Sequence, residues 1–127
     1  MLIFFTGTSW AQVCTGDYTI DNIDTSGDIA VLSGCTEING YLGIGYTSLT
    51  NLNGLEKLTT VGGDLWIDRN DALTSLAGLE NMTSVDGYLV IDNNTSLTNL
   101  SGLGNITTVG GNLWIERNDA LTSLTGL

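Results

Sequence analysis

The sequence contains no histidine and no proline. The first absence excludes histidine-based catalytic triads, imidazole metal ligands and histidine pH switches. The second leaves the turns to 17 glycines and to clusters of Asn, Asp, Ser and Thr. Basic residues are nearly absent: Lys57, Arg69 and Arg117 stand against 14 acids, for a net charge of −11. Nucleic acid and anionic membrane surfaces both reward clustered Lys and Arg, so neither is an expected partner. No stretch approaches the ~18 consecutive apolar residues of a membrane-spanning helix. No phosphate loop, zinc-ligand set or serine nucleophile elbow appears either. The expectation is a protein that is not an enzyme and carries no cofactor.

What is present is apolar and repetitive. Apolar residues make up 42% of 127 residues and charged ones 13%, enough for one packed domain and too few charges for a disordered tail. Residues 1–12 open on Met1-Leu-Ile-Phe-Phe5 and reach a small-residue stretch around Ala11, which reads as the remnant of a secretory signal. Cys14 and Cys35 fit a secreted protein with one disulfide; two free thiols in a cytosolic protein are the competing reading.

Internal repetition decides the fold class. Leu49-Thr-Asn-Leu-Asn-Gly-Leu55 recurs from Leu73, Leu97 and Leu121, each step being 24 residues. Val61, Val85 and Val109, then Leu65, Leu89 and Leu113, then Ile67, Ile91 and Ile115 keep the same phase. An earlier unit, Ile38 to Ile44, fits with one residue fewer before Leu49. Within a unit, Leu65 and Ile67 are two apart and share a strand face. Leu73, Leu76, Leu79, Met82 and Val85 then recur every three residues, a spacing that belongs to neither an ideal strand nor an ideal helix. Short extended segments joined by glycine bends satisfy both patterns. The fold class expected is all-β: a β-solenoid, or single-stranded β-helix, with tandem 23/24-residue coils over residues 37–127. Each inward column becomes a ladder of Leu, Ile or Val, every buried side chain contributing roughly 1.5–3 kcal/mol.

Leu65-x-Ile67-x-x-Asn70 repeats at Asn94 and Asn118 and has the spacing of the leucine-rich-repeat core. Asn70, Asn94 and Asn118 are expected to turn inward and bond the backbone of neighbouring coils. Cys14-x-Gly16-Asp-Tyr-x-Ile20, followed by Leu32-Ser-Gly-Cys35-Thr-x-Ile38-x-Gly-x-Leu42-x-Ile44, resembles the start of a receptor L domain. That family forms the ligand-binding lobes of insulin-receptor and epidermal-growth-factor-receptor ectodomains. The resemblance runs from Cys14 to Leu127 and implies that the solenoid, about four to five coils by its repeats, is a right-handed β-helix with a disulfide-linked N-terminal cap. That cap, with the first coil, would occupy residues 13–36. Cys35 falls in the column of Leu58, Met82 and Ile106 and should point inward, where Cys14 reaches it only if residues 14–35 fold over the first coil. At the other end Leu127 stops midway through a unit and leaves an open apolar edge: either the sequence is a fragment of a longer array, or another chain covers that edge in end-to-end self-association.

Residues between the inward ones face outward. Stacking places Tyr41, Asp64, Tyr88 and Asn112 in one column, Gly43, Trp66, Val90 and Trp114 in the next, and Gly45, Asp68, Asp92 and Glu116 in a third. An aromatic platform beside polar groups suits a glycan or a protein. The candidate ligand-binding set is therefore Tyr41, Trp66, Asp68, Tyr88, Asp92, Trp114 and Glu116. Like charges at Asp68, Asp92 and Glu116 repel on adjacent rungs; calcium would relieve this, as would solvent screening. The expected role is a secreted or cell-surface recognition or adhesion module. A structural segment of an extracellular array or fibre is the alternative.

Overall fold

The structure is a computed structural model and describes residues 11–127. The leader expected over residues 1–12 lies outside the described residues but for its last two. Of these, Gln12 already bonds the next unit: its amide donates to Thr36 Oγ1 at 2.7 Å, and its carbonyl accepts from the Thr36 amide at 2.9 Å.

Strands dominate, in two five-stranded sheets that are parallel throughout. One sheet runs in the order β1 (Val13–Cys14), β3 (Glu37–Ile38), β5 (Thr60–Val61), β7 (Ser84–Val85) and β9 (Thr108–Val109). The other runs in the order β2 (Tyr18–Ile20), β4 (Leu42–Gly45), β6 (Leu65–Asp68), β8 (Leu89–Asp92) and β10 (Leu113–Glu116). Each repeat unit thus gives one short strand to the first sheet and one longer strand to the second. The register obeys the repeat: Leu42 pairs with Leu65, Leu65 with Leu89 and Leu89 with Leu113. Residues 13–20 obey it too, since Cys14 pairs with Ile38 and Tyr18 with Leu42. The N-terminal segment therefore supplies the first strand of both sheets.

Parallel strands need a long crossover, and each unit provides one as a chain of tight bends. Gly78 turns one of them at φ +114, and a Cβ there would run into the Leu52 carbonyl of the preceding unit. The three-residue spacing is explained by these bends. Leu73, Leu76, Leu79 and Met82 all point inward and are fully buried, beneath Leu52, Leu55 and Leu58 and above Leu97, Leu100 and Leu103. With Leu65, Ile67, Leu89 and Ile91 they form one continuous core.

Two elements depart from an all-strand reading: a single 3-10 turn at Ser101–Leu103, and α1 (Thr25–Leu32), a helix of eight residues. The α1 sequence, Thr-Ser-Gly-Asp-Ile-Ala-Val-Leu, combines poor helix formers and lacks a clear apolar stripe, so nothing local announces it. Leu32 anchors it in the core, and Cys35 just beyond is 1% exposed and bonded to Cys14. The disulfide ties the two ends of the N-terminal segment together.

The asparagine column is a ladder with a direction. Asn94 Oδ1 accepts from the Asn70 amide and from Asn70 Nδ2, both at 3.1 Å, and Asn94 Nδ2 donates to the Ile67 carbonyl at 2.9 Å. Asn70 makes the equivalent bonds to Thr47 and Ile44, and Asn118 to Asn94 and Ile91. Every amide in the column thus satisfies both a backbone N–H and a backbone C=O of the unit before it. Asn94→Leu, nearly equal in size, leaves the Asn70 N–H and the Ile67 carbonyl buried without partners. Each orphan costs about 1–3 kcal/mol, so a loss of roughly 3 kcal/mol is expected. Urea denaturation should show a lower midpoint at an unchanged slope; an unchanged midpoint would contradict the ladder's role.

Candidate functional site

The outward face of the β2–β10 sheet carries the aromatic residues because strand residues alternate sides. Gly43, Trp66, Val90 and Trp114 are register partners and form one outward column. Trp66 and Trp114 are exposed, whereas Val90 between them is only 8% exposed. Two large side chains flanking a small one make a groove, of about 380 Å³, with Val90 as its floor. Tyr88 and Asn112 border it on one side, and Asp92, Glu116 and Arg117 on the other.

Not every expected site residue lies there. Tyr41 sits in the hollow left by Gly43, where a Cβ would strike its hydroxyl. It belongs with Asp68, Tyr46, Asp21 and Thr19 to a second, shallower depression of about 290 Å³. The seven residues expected to form one surface are thus divided. Trp66, Tyr88, Asp92, Trp114 and Glu116 meet in the groove, and Tyr41 and Asp68 lie beyond it.

The acid column is confirmed in register, with Asp68 opposite Asp92 and Asp92 opposite Glu116. Its charges are relieved by the protein's own arginines. Arg117 Nε and Nη2 donate to the two carboxylate oxygens of Asp92 at 2.9 and 2.8 Å, and Nη2 lies 2.7 Å from Glu116. Arg69 behaves differently: its guanidinium lies over the Tyr46 ring at 5.2 Å and donates to both the Tyr46 hydroxyl and Asp68. Among the described residues no group of three Asp, Glu, Cys or His side chains could hold a metal ion. The three acids raised as a calcium candidate form no such cluster.

The arginines stand at an unusual backbone position. Tyr46, Arg69, Asn93 and Arg117 follow the long strand in successive units, with φ between 51° and 57°. Non-glycine residues seldom adopt this left-handed conformation. From it Arg117 reaches back to Asp92 of the preceding unit, and Arg69 to Tyr46 of the preceding unit. The signal in the sequence was the adjacency Asp68-Arg69 and Glu116-Arg117, which places two of only three bases directly after that column. Val90 and Asn112 are the other groove residues outside the expected set.

The two aspartates respond to their surroundings in opposite directions. The hydrogen bond from Arg117 holds the Asp92 carboxyl below its ordinary value. Burial pushes Asp68 above its ordinary value and outweighs the attraction of Arg69, whose charge is half exposed and shared with Tyr46.

Fold and site define a strand-rich repeat protein with an aromatic groove on the outer face of a parallel sheet. Comparison of the chain with protein-family models, with curated proteins and with solved structures finds no match.

The opposite shifts give a pH signature. Asp92 ionises more readily folded than unfolded, so its contribution to stability is present at neutral pH and is lost as the pH falls through its lowered value. Asp68 binds its proton more tightly when folded, so its contribution is present in acid and is lost as the pH rises through its raised value. At pH 7 Asp92→Asn should lower the melting temperature, and Asp68→Asn should raise it, each by about 2–4 °C. Both differences should vanish well below the carboxylate range. Shifts of the same sign at neutral pH would contradict the assignment.

Proposed function

We propose that the chain is a secreted or cell-surface recognition and adhesion module, in which the repeat units wind as about four to five coils of a right-handed solenoid. It binds glycan or protein through the outward face of the β2–β10 sheet and performs no catalysis. The observation that carries this reading is the groove itself: exposed Trp66 and Trp114 held apart over buried Val90, with charged and amide groups along its sides. Exposed indoles forfeit burial that the core would reward, and a binding surface is the common reason for keeping them there. The Cys14–Cys35 disulfide suits an oxidising compartment. Among the described residues no helix is long and apolar enough to cross a membrane. The N-terminal motif that resembles a receptor L domain points the same way.

The structural-array reading has its own observation. Leu113, Leu124 and Leu127 are 45%, 60% and 49% exposed, whereas Leu89, Leu100 and Leu103 in the same columns are fully buried. In an array a further repeat unit, of the same chain or of another, would cover those leucines and pair the outer edge of β10.

Two measurements separate the readings. On an array of immobilised glycans and extracellular proteins, the wild-type chain should find a ligand that the Trp66→Ala/Trp114→Ala variant loses. Two stacked rings at around 1 kcal/mol each correspond to roughly 30-fold in affinity. Equal binding by a double variant with an unchanged melting curve would show that this face is not the site. In light scattering the wild-type chain should self-associate, and Leu124→Asp/Leu127→Asp should not; a wild-type monomer at high concentration would remove the array reading.

A further inference from the structure

We infer that the Trp66–Trp114 groove takes a cationic side chain, arginine or lysine, from an extended basic segment of a partner protein, and that Arg117 already occupies part of this site as an internal competitor. This rests on the reading of the groove as the binding face and names its ligand chemistry.

Charge is the first argument. The chain carries −11 with three basic residues, and the groove itself holds Asp92 and Glu116 against Arg117 alone. A basic segment is drawn to such a surface, an acidic one is repelled, and a neutral one is indifferent to the field.

Arg117 is the second. Its guanidinium takes both oxygens of Asp92 and one of Glu116, at 2.7 to 2.9 Å, so these two acids form a receptor for a guanidinium. Planar bidentate pairing is the geometry that carboxylates offer to arginine. Yet Arg117 is an exposed occupant. Its side chain is 64% exposed, and its backbone adopts a φ of 51° that an arginine disfavours. Asn93 fills the equivalent position one unit earlier. The Arg117 guanidinium stays open to solvent, so a ligand that brings its own cation can exchange with it.

The aromatic walls are the third. Trp66 and Trp114 stand two strand spacings apart, about 10 Å, and both line the groove. The chain shows the same preference internally, where Arg69 lies over Tyr46 at 5.2 Å. A cation entering between the indoles would gain both ring faces and end at the carboxylates.

The inference is specific because it predicts a gain. Arg117→Asn reproduces the residue of the preceding unit, removes the competitor and frees Asp92 and Glu116. Lys57→Asn makes the same change in net charge at an exposed position outside the groove. The probes are fluorescent hexapeptides of sequence Gly-Arg-Gly-Gly-Arg-Gly, with lysine or citrulline replacing both arginines, and a neutral chito-oligosaccharide. Fluorescence polarisation at low and high salt is the readout. The arginine and lysine peptides should bind the wild-type chain, and the citrulline peptide should not. Affinity should fall several-fold with salt, and Trp66→Ala/Trp114→Ala should abolish it. Arg117→Asn should tighten binding about three- to tenfold, against less than about twofold for Lys57→Asn. Equal tightening by both variants would reduce the effect to bulk charge and overturn the inference, as would weaker binding to Arg117→Asn or equal binding of the citrulline peptide. Capture of the oligosaccharide alone, lost with the tryptophans, would overturn the cationic assignment while leaving the groove as the binding face. No binding of any peptide would overturn the assignment, and the array measurement would still decide the groove.

Discussion

The structure depends on the register between successive units, and the buried asparagine column is what makes that register unique. Leu, Ile and Val ladders are tolerant: a hydrophobic column slipped by a unit, or loosened by one residue, still buries apolar surface. A buried amide is not tolerant, because each Asn must meet one particular N–H and one particular C=O of the unit before it. Asn70, Asn94 and Asn118 meet both, and no buried side-chain polar atom among the described residues lacks a partner. The first unit shows the tolerance of the device. It is one residue shorter before Leu49, and Thr47 stands in the column with its amide and hydroxyl both donating to Asn70 Oδ1. The shortening is absorbed at a bend, and the strands on either side stay in phase.

Fixed register has a consequence for the surface. When every unit aligns with the next, outward residues form columns as strictly as inward ones, so a substitution pattern in the repeat becomes a relief on the face. Residues 59–79 and 107–127 are identical but for Asp64/Asn112, Asp68/Glu116 and Ala77/Thr125, so units two apart are more alike than neighbours. Trp66, Val90 and Trp114 express that two-unit alternation as wall, floor and wall. The Asp17, Tyr41, Asp64 and Tyr88 column alternates in the same way, and its acids do structural work. Asp17 accepts the Tyr41 amide and Asp64 the Tyr88 amide, each at 2.8 Å. A groove on this face thus follows from the repeat itself rather than from a specialised loop.

Much of this was legible from residue spacing. Two-residue and three-residue apolar periods gave strands and bends, and the conserved phase of Leu65, Leu89 and Leu113 gave the parallel register. The Asn column could be placed inward because a polar residue at a fixed step inside a Leu-rich unit has few other places to go. What spacing could not show is where chain direction changes sharply. The helix Thr25–Leu32 is set by its tertiary surroundings, through Leu32 and the disulfide, and its local sequence speaks against it. The left-handed turn at Arg69 and Arg117 was equally hidden, since such turns are usually announced by Gly or Asn. Asn93 occupies the middle member of that column, and its neighbours could have been read from it. Without that turn, the acid column looked like repulsion to be relieved by solvent screening or by calcium.

The arginines also explain how so acidic a chain keeps its carboxylates stacked. In a sheet, like charges on adjacent strands destabilise by a few tenths of a kcal/mol to about 1 kcal/mol per pair. Three such acids on consecutive strands would work against the pairing of β6, β8 and β10. Placing one arginine after every second acid, in a conformation that folds it back across the strand, supplies local counter-charge without interrupting the ladder. The two arginines then diverge because their neighbours differ. Arg69 finds the Tyr46 ring and hydroxyl and leaves Asp68 the weaker share, so burial prevails at that carboxyl. Arg117 has Asn93, not an aromatic ring, one unit back, so it commits its guanidinium to Asp92 and Glu116. One motif thereby yields two chemically distinct surfaces on the same sheet: a closed aromatic–cation stack beside Gly43, and an open groove where the only cation is exposed and replaceable.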